Sequence, residues 1–137
     1  MKNIPLVVLF TLVTILLCNC NSTRPNVYHN VNAEEQADLA RIFVGNGIYV
    51  VKFNTEDVSW KRETVVNFQP GRHTLTVNFH TTIGNVTSTA NGLRATYDFA
   101  PGGKYRFAIV RLSGNLVRLE IQEVNENNNK DFLKYFD

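Results

Sequence analysis

Along "HTLTVNFHT", residues 73–81, apolar Leu75, Val77 and Phe79 alternate with polar Thr74, Thr76 and Asn78, the period of a strand with one face buried. Runs rich in β-branched and aromatic residues recur before and after it: "RIFV", "IYVVKFN", "TVVNF", "LRATYDF", "KYRFAIVRL" and "LVRLEIQEV". Gly45-Asn46-Gly47, Pro70-Gly71 and Pro101-Gly102-Gly103 punctuate them as turns. "NTEDVSWKRE" reads as a polar connection and "IGNVTSTANG" as a small-residue loop. About seven short strands with no alternating helices predict a mainly β fold, a single antiparallel β-sandwich. Ahead of them, Asn32 can cap a short helix with Glu35 three residues on, and Ala33, Ala37 and Ala40 favour helix locally. Such a helix would pack Leu39 and Ile42 against the strands. Behind the last strand, an Asn-rich spacer leads to Phe132, Leu133, Tyr135 and Phe136, expected to dock on the sheet or stay loose rather than to bind a partner.

The first 20 residues change the picture from a bare domain to an exported one. Lys2 precedes an apolar run from Ile4 to Leu17, and a polar segment follows, the layout of an export signal. The run is shorter than the roughly 20 residues of a membrane-spanning helix, and Pro5 sits near its start. Leu16 and Leu17 precede Cys18 and Cys20, with Asn19 directly before Cys20. This resembles a loose bacterial lipobox, which implies lipidation of Cys20; ordinary cleavage after Cys20 is the alternative. The expected organisation is a signal at 1–20, a polar tether at 21–32 carrying Pro25 and His29, a sandwich at 33–124 and a tail at 125–137.

Beyond Cys20 there is no cysteine, so the mature chain has no internal disulfide, thiolate zinc site or thiol nucleophile. What remains is enough chain for one domain and too little for two ordinary ones. The formal net charge of +2 falls by one with Lys2, leaving no strong field to recruit nucleic acid.

Candidate chemistry is sparse. His73 and His80 are seven residues apart, so in a regular strand they face opposite ways and lie about 23 Å apart, too far to share a metal. His73 shares the face of Leu75, Val77 and Phe79 and is expected at the edge of the core with its nitrogens bonded to turn backbone, while His80 is expected in solvent. Ser22, Ser59, Ser88 and Ser113 stand in no Gly-x-Ser-x-Gly elbow and have no local His and Asp partners. Glu34, Glu35 and Asp38 read as helix surface, Glu56 and Asp57 as turn residues. Gly45-x-Gly47 is a hairpin signal rather than a phosphate loop, since no helix opening on a Lys-Ser or Lys-Thr pair follows. No cofactor or metal is expected. Trp60, the single tryptophan, stands beside Lys61 and Arg62, and the three form the candidate ligand-binding group: an exposed indole there could stack on a sugar ring or rest at a lipid headgroup. Against that, the indole could fold back to cover the end of the sandwich.

The elements "AEEQADLARI", "VVKFNTEDV", "QPGRHTLTVNF", "ATYDFAPGGKYRF" and "LEIQEV" give residues 33–124 a layout that resembles small bacterial envelope lipoproteins and related β-sandwich domains of unknown function, PEGA-like in arrangement. "FNTED" stands where that pattern has a "VDG"-like turn. The resemblance brings no catalytic residue with it. It implies a lipid-anchored protein of the bacterial cell envelope, on a periplasmic or surface face, acting as a non-catalytic binding or assembly module rather than an enzyme. Its partners would be the membrane, through the anchor, and an envelope protein complex or glycan. The alternative is a small envelope hydrolase acting on cell-wall material.

Overall fold

The computed structural model describes residues 25–31, 37–114 and 116–137. Among these residues the chain is mainly β, with strands β1 Asn26–Tyr28, β2 Ala40–Val44, β3 Ile48–Phe53, β4 Glu56–Trp60, β5 Thr64–Phe68, β6 Gly71–Ile83, β7 Val86–Phe99, β8 Lys104–Arg111 and β9 Val117–Glu123. One sheet has the order β1-β5-β2-β8-β9 and the other β4-β3-β6-β7. Their inner faces share a single core, to which Ile42, Phe68 and Phe107 come from the first sheet and Val50, Leu75 and Phe99 from the second.

The expected all-antiparallel pairing is corrected in two places: β1 runs parallel to β5, and β2 runs parallel to β8. For β2 the cause is the turn that follows it. At Gly45–Gly47 the chain crosses from one sheet to the other instead of folding back on itself, so β2 finds its neighbours far along the sequence. Gly47 has φ 75°, and a Cβ there would lie 2.4 Å from the His80 carbonyl oxygen, so the crossing requires glycine.

Further expectations are also corrected. Residues 26–28, read as tether, form the edge strand β1. The expected helix falls partly on residues 32–36, outside the described residues; Ala37 and Asp38 make a 3-10 turn and Ala40 opens β2. Backbone pairing of Ala40 with Phe68 outweighs the weak helix preference of alanine. "EDVSW", read within a polar connection, is strand β4, and "VTSTANG", read as loop, is the first half of β7.

The long β6–β7 hairpin shows how that half-strand was concealed. Its register steps from Val77↔Leu93 to Phe79↔Ala90, placing one extra residue in β7 at Asn91-Gly92. Gly92 has φ 67° and donates its N–H to Asn78 Oδ1 at 2.9 Å, a β-bulge fixed by a side chain. The extra residue reverses the parity of the strand. Tyr97, Ala95 and Leu93 face inward above the bulge, and Ala90, Ser88 and Val86 face inward below it. Thr87 and Thr89 are thereby turned outward, where they bond Thr82 and His80.

The C-terminal tail docks on the outer face of the first sheet. A 3-10 helix, Lys130–Tyr135, lays Tyr135 flat on Phe43 with ring centroids 4.2 Å apart and buries Phe136 against Val65 and Val124. Arg41 Nη2 donates to the Phe136 carbonyl at 2.6 Å. β5 is consequently buried at all five positions, its inner residues by the core and its outer ones by the tail and β1.

Replacing Gly92 with valine would force a β-branched residue into a left-handed conformation, at a cost of about 1–2 kcal/mol. The check is a urea unfolding midpoint lowered relative to wild type with an unchanged slope. Burial raises the ionisation of the Tyr105 hydroxyl above its ordinary 10.0, while the Ala100 N–H it accepts acts in the opposite direction. The unfolded chain therefore releases this proton first. The stability it contributes is complete below pH 10 and declines as pH rises through the folded value. Tyr105→Phe should flatten that alkaline decline in unfolding free energy measured between neutral and high pH.

Candidate binding site at the open end of the sandwich

The two ends of the sandwich are chemically different. At one end, rings from both sheets form a continuous chain. Phe53 lies between two histidines, with centroids 4.7 Å from His29 and 4.6 Å from His73, and it also meets Phe68 at 5.2 Å. Phe99 and Tyr105 extend the series at 4.9 Å and 4.8 Å. Edge-to-face contacts dominate, the arrangement in which a ring's positive rim meets a negative face.

His73 stands where its spacing placed it, at the edge of this core, with both nitrogens occupied. Nε2 bonds the Gln69 carbonyl at 2.9 Å and Nδ1 bonds Asn54 Nδ2 at 3.1 Å. The Asn54 amide is oriented independently, because its Oδ1 accepts the Thr74 backbone N–H at 3.0 Å. Its Nδ2 must then donate, so His73 Nδ1 accepts and Nε2 carries the hydrogen. This ring supports the β3–β4 turn and has no nitrogen free for substrate. His80 is exposed on the outer face, 3.2 Å from Thr89 Oγ1. The structure does not bring these two histidines together. It instead pairs His73 with His29 across Phe53. His29 Nε2 also lies 3.3 Å from Glu56 Oε2, which ties β1 to β4. A histidine in a polar, aperiodic segment carried no sequence signal for this role. Among the described residues, no group of three or more His, Cys, Asp or Glu side chains is placed to hold a metal ion.

Trp60 requires a correction. The residue is only 6% exposed, with its ring 5.2 Å from His29 and 5.5 Å from Phe53, so it offers no open face to a sugar or a headgroup. The gain from burying a large ring in a small core outweighs its polar neighbourhood in sequence. Lys61 and Arg62 do stay exposed, on the link from β4 to β5. Cys20 lies outside the described residues.

The other end of the sandwich is open. β6 and β7 run past the end of β3, and β8 and β9 run past the end of β2, so two hairpin tips face each other across a cleft of about 950 Å³. Its walls are Phe79 and Ile109 toward the core and Ile83, Val86 and Val117 toward the mouth. Arg111 falls on the inner face of β8, in step with Phe107 and Ile109, and so places a cation among these aliphatic side chains. Thr81 and Ser88 add hydroxyls. Ile83 is 77% exposed, Val86 65% and Leu116 65%, and Leu112 is also exposed. Four large aliphatic residues uncovered at one end form a patch rather than scattered surface residues.

No family model, no curated protein and no solved structure matches this chain. The cleft therefore has to be read from its own chemistry. Apolar walls with one cation and a few hydroxyls suit an amphiphile with an anionic head. An anilinonaphthalene sulfonate, an apolar anion, should bind the protein with enhanced fluorescence, and Arg111→Ser should weaken that binding about tenfold, the loss of roughly one charge-assisted contact.

Proposed function

We infer that this protein is an exported component of the bacterial cell envelope, held to a membrane by a lipid on Cys20, whose β-sandwich is a non-catalytic binding or assembly module. The observation that carries the reading is the open cleft between the β6–β7 and β8–β9 tips, with its apolar walls, single Arg111 and uncovered aliphatic rim. Among the described residues, its lining offers a surface for holding an amphiphile. The resemblance of residues 33–124 to small envelope lipoproteins and the Leu16-Leu17-Cys18-Asn19-Cys20 run support the anchor. A single attachment point leaves the sandwich available to meet a partner. That partner would be an envelope complex, a glycan or the lipid surface itself.

Growth with a palmitate analogue should tag the wild-type protein and leave Cys20→Ser untagged. Equal tagging of the two would remove the anchor from this account.

A further inference from the structure

We propose that the cleft end of the sandwich is a membrane-contacting face, its two hairpin tips entering the headgroup region of an anionic bilayer. The inference deepens the anchored-module reading and rests on lipidation of Cys20. Three placements on the fold carry it.

The first is where the chain enters. β1 runs parallel to β5, and β5 begins at Thr64 opposite Val44, at the cleft end. Pro25 accepts the Val65 N–H at 3.1 Å, so the described chain starts there, pointing toward the cleft. The anchor attaches five residues earlier, at Cys20, a distance that even a fully extended chain can stretch to only about 18 Å.

The second is how far the tips project. β6 continues from Phe79, the partner of Ile48 at the start of β3, to Ile83, about 13 Å farther along the strand. β8 continues from Arg106, the partner of Phe43, to Arg111, about 16 Å farther. The tips therefore extend about as far as the anchor's spacer can reach. A lipid seated in the bilayer holds Ile83, Val86, Leu112 and Leu116 against the surface, and any spacer short of full extension presses them into it.

The third is charge. Trp60 pairs with Val50 and Thr64 with Val44, which puts the link carrying exposed Lys61 and Arg62 at this same end, alongside Arg111. Glu63 is the one carboxylate in that link. Asp38, Glu123 and Glu126 lie toward the opposite end, beside the starts of β2 and β8. Aliphatic tips with Arg111 among them and Lys61 and Arg62 behind them at the base of the overhang, where Glu120 is paired with Arg118, match the acyl boundary and the negative headgroups of an anionic leaflet. The candidate ligand group of the sequence thus keeps its two cations as headgroup contacts, while Trp60 serves the core.

The test uses the lipidated full chain in vesicles of phosphatidylethanolamine and phosphatidylglycerol, with lipidation verified by mass. No other cysteine follows Cys20, so Ile83→Cys, Leu116→Cys, Thr55→Cys and Glu126→Cys each take one environment-sensitive fluorophore. The expected result is blue-shifted emission at 83 and 116, quenched by doxyl groups on the acyl chains, with 55 and 126 remaining aqueous. Lys61→Glu with Arg62→Glu should reduce the quenching at 83 and 116 while the lipid stays attached. Aqueous spectra at all four sites on verified lipidated protein would overturn the inference. So would tips that are shielded in isolated envelopes but aqueous in pure lipid, since a protein partner would then be covering them. A chain that lacks the lipid but still inserts its tips into vesicles would remove the anchor and leave the membrane face standing.

Discussion

The β6–β7 hairpin sets the terms for the rest of the molecule, and its governing constraint is side-chain parity. Thirteen and 14 residues long, the two strands run the length of the sandwich and then past it. A strand that long has one face committed to the core, and a slip of one residue would turn that face outward. The single extra residue at Asn91-Gly92 makes that exchange deliberately. Toward one end, Leu75, Val77, Leu93 and Ala95 fill the core. Toward the other, the parity change brings Val86, Ser88 and Ala90 inward and leaves Thr87 and Thr89 outside with Thr82 and His80. The bulge thereby separates a closed aromatic half from an open cleft.

Closure of the aromatic half follows from the same frame. His73 enters the core because it is in step with Leu75, and its ring fits there because Gln69 and Asn54 occupy both nitrogens. Asn54 can do this because it takes a left-handed conformation, φ 55°, in the β3–β4 turn, and asparagine tolerates that region better than most residues. The turn written "FNTED" is thus coupled to a ring 19 residues away. Phe53, held between His29 and His73, joins β1, β3 and β6 through one aromatic contact group.

What could be read in the sequence tracks what is local. The alternation through Leu75, Val77 and Phe79 defined β6, and the position of His73 followed from it. β4 and the first half of β7 escaped because their signals are not local. "EDVSW" is a largely exposed edge strand with one buried residue, Trp60, and nothing nearby reveals its pairing with β3. "VTSTANG" has the composition of a loop, and only its partner strand, with the bulge, makes it a regular one. β1 is three residues long and owes its existence to β5, far along the chain. "TVVNF" carried a signal in the other direction. A run with no polar alternation belongs to a strand covered on both sides, and the docked tail supplies the second cover.

The cleft illustrates a different limit. Ile83, Val86, Leu112 and Leu116 are unremarkable singly, each beside a turn, and no periodicity joins them. They become a patch only because β2 lies parallel to β8 while β3 lies antiparallel to β6, which brings both overhanging hairpins to one end. The pairings of β1 with β5, of β5 with β2 and of β4 with β3 place the start of β1 and the Lys61-Arg62 link at that same end. A chain that simply needed a stable core would gain little from hairpins extending beyond it, since their inner faces lose partners and their aliphatic tips stay in water. The overhang makes physical sense when something apolar meets it.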